Sequence, residues 1–261
     1  MKIARGLMPF HYSSTRKILI AAICLGLPLL LFLTMDSSAQ EQRRPTNLKI
    51  LDSTIAHDSL IAIMSRFGMA LGVECDYCHV RDASGHGLNF ASDVKTTKLT
   101  TREMLKMVSK INSTYLSQLP TVDTPQVVVE CVTCHRGQPA PRLLQDVLRQ
   151  VRRSHGMAAM DSVYRDLRKE YYGSATFDFS DQVLARFAME VSRDNSSDAL
   201  TILNLNKEFN PRSATNEWAM GRVHLQLGDT VAAITEYKRA LEINPDNRRV
   251  QRELQELETK K

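Results

Sequence analysis

Two short stretches of the chain concentrate side chains that can do chemistry. In "GVECDYCHVRD" (Gly72 to Asp82) the thiols of Cys75 and Cys78 are separated by two residues, and His79 follows at once. In "VVECVTCHRGQ" (Val128 to Gln138) Cys131, Cys134 and His135 repeat the arrangement 56 residues later. Three chemistries use such pairs. Two CxxC pairs can make a four-thiolate zinc site, but that reading gives no reason for a histidine after each pair, and the gap from Cys78 to Cys131 is long for a zinc ribbon. A CxxC disulfide of thioredoxin type wants a strand before it and a helix after it in a βαβ setting, and no such alternation is found. Covalent c-type haem attachment uses every residue. Two thiols add across the two vinyl groups, a two-residue spacer matches their separation on the ring edge, and the adjacent histidine reaches the iron. The sequence therefore predicts two haem c groups, held by Cys75 and Cys78 and by Cys131 and Cys134, with His79 and His135 as axial ligands to iron.

Each iron then needs a second axial ligand or an open position, and that choice sets its potential and chemistry. The elements before each motif offer methionines. In "HDSLIAIMSRFGMALGVEC" the residues Leu60, Met64 and Phe67 share one helix face, and Met69 lies near the helix end. In "TTREMLKMVSKINSTYLSQL" Met104, Met107 or Val108, Ile111 and Tyr115 form an apolar stripe, with Thr100 and Glu103 spaced as a capping box. Methionines are equally good fillers of a core, so the residues alone leave ligand and core readings open. His57 reads as the surface at a helix start and His86, in "SGHGLN", as loop.

With both motifs and the intervening helix in view, the segment "ASDVKTTKLTTREMLKMVSKIN" followed by "CVTCHRG", and the preceding "LIAIM…CDYCHV" unit, resemble the photosynthetic reaction-centre cytochrome c subunit family. The resemblance covers about residues 47–142. In that family a helix supplies a methionine, the chain turns, and CxxCH follows, as a repeated unit. Multi-haem members carry four such haems, and this chain carries two units. By position the resemblance implies Met64 and Met104 as the sixth ligands, with Met107 as core.

The remaining chain frames this module. Lys2, Arg5, Arg16 and Lys17 precede the apolar run Ile18 to Met35, with small residues at Ser37 and Ala39. Residues 1–39 therefore read as a signal peptide or an N-terminal membrane anchor. Without those four basic residues and Asp36 the net charge falls from +5 to +2, which gives no support to a nucleic-acid partner. Helix-favouring composition, with 11 Gly and 9 Pro in 261 residues, points to a mainly α chain. The cytochrome module occupies 46–142 and ends at "RGQPAPR", where two prolines break the pattern. A helical connector is expected over 143–179.

"ATNEWAMGRVHLQLGDTVAAITEYKRALEINPDN" (Ala214 to Asn247) resembles one tetratricopeptide repeat. Gly221, Gly228, Ala233, Tyr237, Ala240 and Pro245 stand where that repeat wants small, aromatic and helix-breaking residues. A degenerate copy spans about 180–213, with Phe187 and Leu203 in place of Gly221 and Tyr237. "RRVQRELQELETKK" closes 180–261 as a polar capping helix. The sequence thus predicts a two-haem cytochrome module followed by an αα-hairpin solenoid. The expected function is an exported, periplasmic single-electron carrier, not an enzyme, docking through its helical tail to redox partner proteins in a complex that could be membrane-bound. A dihaem peroxidase and a haem-bearing scaffold or sensor are the alternatives.

Overall fold

The computed structural model describes residues 45–120 and 127–259, so the expected signal segment lies outside the described residues. The first region begins with α1 (His57–Leu71), which ends where Gly72 turns left-handed at φ 65°. A short hairpin follows, β1 (Val80–Arg81) paired antiparallel with β2 (Leu88–Asn89), with His86 exposed in its loop. Next comes α2 (Thr96–Lys110), which continues into a π-helical turn over Ile111–Tyr115. The five-residue α3 (Cys131–His135) carries the second motif.

The expected capping box at Thr100 and Glu103 does not form, because α2 starts one turn earlier at Thr96 with Lys95 as its cap. Glu103 instead pairs with Lys106 at 2.8 Å, one turn along the exposed face. The hydroxyl of Thr97 is drawn off to the first motif, where it donates to the carbonyl of Tyr77 at 2.6 Å.

The second region is helical throughout. α4 (Leu144–Tyr171) breaks sharply at Gly156, whose φ of 84° and ψ of −178° are outside helical space. Then come α5 (Asp181–Val191), α6 (Ser196–Phe209), α7 (Ala214–Gln226), α8 (Thr230–Ile243) and α9 (Arg248–Thr259). Side-chain oxygens of Asn195, Ser213 and Asp229 accept the backbone N–H groups of Asp198, Asn216 and Ala232, capping α6, α7 and α8. α6 and α8 both stop just short of an Asn-Pro pair, at Pro211 and Pro245.

Packing within the repeat depends on one missing side chain. A Cβ on Gly221 would lie 2.4 Å from the ring of Tyr237, so α7 and α8 can close only on glycine there. The degenerate copy swaps the sizes: Phe187 and Leu203 are fully buried in the equivalent places. A continuous core runs from Leu144, Leu148, Met160 and Tyr164 of α4 through α5 and α6 to Val223 of α7. The segment expected as a connector thus supplies one side of the helical core. A smaller cluster of Tyr237, Ala240 and Val250 is joined to it through Trp218, whose indole N–H donates to Glu253.

The first region is built differently. Among its described residues only Leu60 and Ala70 are buried. Polar anchors replace a core. Asp93 accepts from Arg102 at 2.9 Å and Asn47 at 2.9 Å and pairs with Lys98 at 3.1 Å. Those three donors hold its carboxyl well below the usual carboxylate range.

Candidate functional site

The first motif is wound as a tight 3-10 turn over Cys75–Tyr77, with the N–H of His79 donating to the carbonyl of Cys75 at 3.0 Å. This turn gathers two thiols and an imidazole, at Cys75, Cys78 and His79, on one small coil. Braces come from the start of α2. Thr97 holds the Tyr77 carbonyl, Lys95 donates to the carbonyl of Asp76, and the thiol of Cys78 lies 3.9 Å from the Thr101 hydroxyl. The His79 ring meets Phe90 edge-on at 4.9 Å between centroids. Lys98 fixes that neighbour by donating to the carbonyls of Phe90 and Ser92, both at 2.8 Å. Burial, then the ammonium groups of Lys98 and Lys95, push the His79 imidazole below its ordinary pKa, against a smaller opposing pull from the Phe90 backbone. The shift favours the neutral ring, the form that ligates metal.

The second motif sits on α3. Glu130 and Thr133 cap this short helix reciprocally, the Thr133 hydroxyl accepting the Glu130 N–H at 3.0 Å. The chain leading into it is clamped by Asn112. That side chain donates to the carbonyl of Val129 at 2.8 Å and accepts its N–H at 2.9 Å, as a neighbouring strand would. Asn112 lies in the π-helical turn after α2, and a π turn is often a mark of function. Nothing in the sequence set this asparagine apart, because its partner is backbone far along the chain. α1 packs on α3, and the N–H of Gly137 donates to the carbonyl of Ala70 at 2.9 Å. Burial pushes the Cys131 thiol up, with Glu130 and Cys134 adding to the effect.

His135 shows how such a site is oriented. Its Nδ1 lies 2.8 Å from the carbonyl oxygen of Gln138, so with Nδ1 as the donor the Nε2 lone pair is left for a metal. Fixing the tautomer through Nδ1 and a backbone carbonyl is the usual support for a ligating histidine. At the first motif the buried Nδ1 of His79 has no hydrogen-bond partner among the described residues.

The candidate sixth ligands lie on the two helices. Met64 is half-buried in the middle of α1. On α2 Met104 is 37% exposed and Met107, one turn on, is 47% exposed. Met69 is 71% exposed at the end of α1. The stripe on α2 is therefore open rather than packed into a core of the chain's own side chains, and Tyr115 and Phe90 are exposed with it. His57 stands at the start of α1 beside Asp58.

The four motif thiols are free among the described residues. Among the described residues no three His, Cys, Asp or Glu side chains converge as a metal cage, so the two cysteine pairs do not assemble one zinc site. The donor set and its surroundings fit haem instead. Each thiol pair is followed by an imidazole on the same turn. Large apolar side chains such as Phe90, Met104 and Tyr115 are exposed in a region that buries only two of its described residues, a setting matched to a broad apolar ring.

Compared with known proteins, residues 46–185, more than half of the chain, match the family described as photosynthetic reaction centre cytochrome C subunit. The chain belongs to this family. Residues 216–257 match the tetratricopeptide repeat. Members of the reaction-centre cytochrome family are among its curated relatives. A photosynthetic reaction center cytochrome c subunit of Rubrivivax gelatinosus is 35% identical over 68 residues, covering 26% of this chain and 15% of the relative. That of Thermochromatium tepidum is 37% identical over 68 residues, 26% of this chain and 14% of the relative. Cytochrome c-554 of Chloroflexus aurantiacus is 39% identical over 70 residues, 27% of this chain and 15% of the relative. The chain thus spans about one seventh of the length of the curated relatives it matches. The family match runs past the prolines of "RGQPAPR" into α5, so it takes in α4 and the first layer of the helical core.

Proposed function

We propose that this protein is an exported two-haem cytochrome c that passes single electrons. In this reading Cys75 and Cys78 hold one haem and Cys131 and Cys134 the other, His79 and His135 are the proximal ligands, and Met64 and Met104 are the sixth ligands. The observation that carries it is the pairing of two free thiols with a tautomer-fixed imidazole at His135, repeated in residue order at Cys75 to His79. Haem iron supplies reversible one-electron chemistry when bound. The chain's own residues supply the rest. The thiols would anchor each ring, Phe90 and the open faces of α1 and α2 would offer apolar surface to it, and the carbonyl of Gln138 orients the second imidazole. A methionine on each helix would close the sixth position and keep substrates off, so a carrier is favoured over a peroxidase. Export agrees with the basic-then-apolar N-terminus, because c-type haems are attached outside the cytoplasmic membrane. Among the described residues no helix is long and apolar enough to cross a membrane. The repeats serve to dock a redox partner, as stacked helical pairs do elsewhere.

Intact mass of protein matured in an export-competent host tests the stoichiometry, and two covalent haems per chain are expected. A mass without haem, or with zinc, refutes the reading. Adding peroxide, carbon monoxide and cyanide then separates functions. A carrier with closed sixth positions leaves its spectrum nearly unchanged, whereas one open iron and peroxide turnover mean a peroxidase.

A further inference from the structure

The α4–α5 loop reaches back to the second motif. Phe177 and Phe179 root this loop in the helical core. Ser174, which donates to the carbonyl of Tyr171 at 2.7 Å, accepts the N–H of Thr176 at 3.3 Å and so fixes its direction. The Thr176 hydroxyl then donates to the carbonyl of Arg136 at 2.8 Å. The carbonyl of Thr176 accepts the side-chain amide of Gln138 at 3.4 Å. Both contacts fall on the turn that follows His135.

That turn needs outside support. Arg136 is left-handed at φ 47°, a conformation that residues with a Cβ seldom hold, and Gly137 continues it at φ 84°. The turn returns the carbonyl of Gln138 to Nδ1 of His135 at 2.8 Å and the N–H of Gln138 to the carbonyl of His135 at 2.9 Å. Thr176 grips the turn from one side and Ala70 of α1 from the other, through the Gly137 N–H at 2.9 Å. The first motif is braced from within its own region by Lys95 and Thr97.

We infer that Thr176 is a positioning residue for His135: it holds the Arg136–Gln138 turn so that the Gln138 carbonyl accepts the Nδ1 proton, and it thereby couples the helical core to the second haem rather than the first. The inference rests on the proposed haem reading. A well-aligned Nδ1–H bond makes the imidazole a richer donor and favours ferric iron. Loosening it should favour ferrous iron and raise the potential of that haem alone.

The test uses the full chain with its haems attached. Intact mass comes first: a wild-type protein without two haems refutes the haem reading, and the inference falls with it. Thr176→Val and Thr176→Ser are then compared by spectroelectrochemical titration and by electron paramagnetic resonance of the ferric state. Thr176→Val should raise one of the two midpoints by up to about tenfold in the reduced-to-oxidised ratio, or ~59 mV for a one-electron couple. The ferric signal of the same haem should change, and Thr176→Ser should restore both. Unchanged midpoints, equal shifts of both haems, or no rescue by serine would overturn the inference. Should Thr176→Val fail to fold, Gln138→Leu cuts only the side-chain contact to the Thr176 carbonyl. It should move the same haem in the same direction by less, and no shift would again overturn the proposal.

Discussion

Replacing Gly72 with alanine tests whether α1 and the second motif are locked together backbone to backbone. Gly72 sits at φ 65°, where an L-residue pays about 1–2 kcal/mol. The larger effect is contact. A Cβ there would stand 2.2 Å from the carbonyl oxygen of Gly137 and 2.9 Å from its carbonyl carbon. Both partners are main chain, so no side chain can swing aside. The two segments must part, straining or breaking the Gly137 N–H to Ala70 carbonyl bond, worth about 0.5–1.5 kcal/mol. Forced overpacking of this kind adds about 1–3 kcal/mol. A loss of about 3–6 kcal/mol is expected, large against the few kcal/mol by which most domains are stable. Gly85→Ala is the internal control. It has φ 74° but nothing within 4 Å, so it should cost only the conformational part, about 1–2 kcal/mol. Urea unfolding of both full-length variants by circular dichroism gives the difference, and intact mass reports whether the second motif still takes up haem. Equal losses in the two variants would show that the approach of Gly72 to Gly137 contributes nothing.

Gly221→Ala should destabilise the repeats by about 1–3 kcal/mol although alanine is the better helix former, because its Cβ would enter the Tyr237 ring. The single tryptophan, Trp218, reports this by fluorescence, and a gain in stability would contradict the packing described. Met64→Ala or Met104→Ala should lower one midpoint and remove part of the weak far-red sulfur-to-iron band. Met107→Ala should spare the band and cost less than the ~2–5 kcal/mol of a buried methionine, since Met107 is 47% exposed; loss of the band in Met107→Ala alone would move the ligand by one turn. Asp93 has a depressed pKa in the folded state, so its contribution is present above the unfolded value of about 3.9 and is lost as pH falls through the folded one. Acid unfolding of Asp93→Asn, followed by circular dichroism, should be less steep below about pH 4 than in the wild type.

Much of this could be read from residue order because it is local. The CxxCH coils, the helices around Met64 and Met104 and the repeat from Ala214 to Asn247 each follow from spacing within one element. The tetratricopeptide reading even located the Gly221–Tyr237 contact, since small and aromatic residues at fixed offsets imply one helix crossing. What escaped depends on partners distant in sequence. The capping box expected at Thr100 and Glu103 did not form because α2 starts a turn earlier, where Thr97 meets the carbonyl of the distant Tyr77. The links from Asn112 to Val129 and from Thr176 to Arg136 pair one side chain with backbone, which carries no residue signature. "RGQPAPR" suggested a clean end to the first region, yet Thr176 bonds back across it. Trp218, one residue off the usual aromatic position, gave no signal, although it stands over Arg249 and joins two clusters.

The placement of α2 has a consequence for distance. Its first turn grips the first motif through Thr97, and the turn just past its end grips the approach to the second through Asn112. The 15 residues of this helix rise about 22 Å. The helix is thus a ruler between the two attachment points, and the chain between Leu116 and Glu130 can vary in length without changing what it measures. One residue added to α2 would move the marks by about 1.5 Å and turn one against the other by roughly 100°. In the proposed two-haem carrier, the interval between the rings is written in the length of α2 and not in its loops.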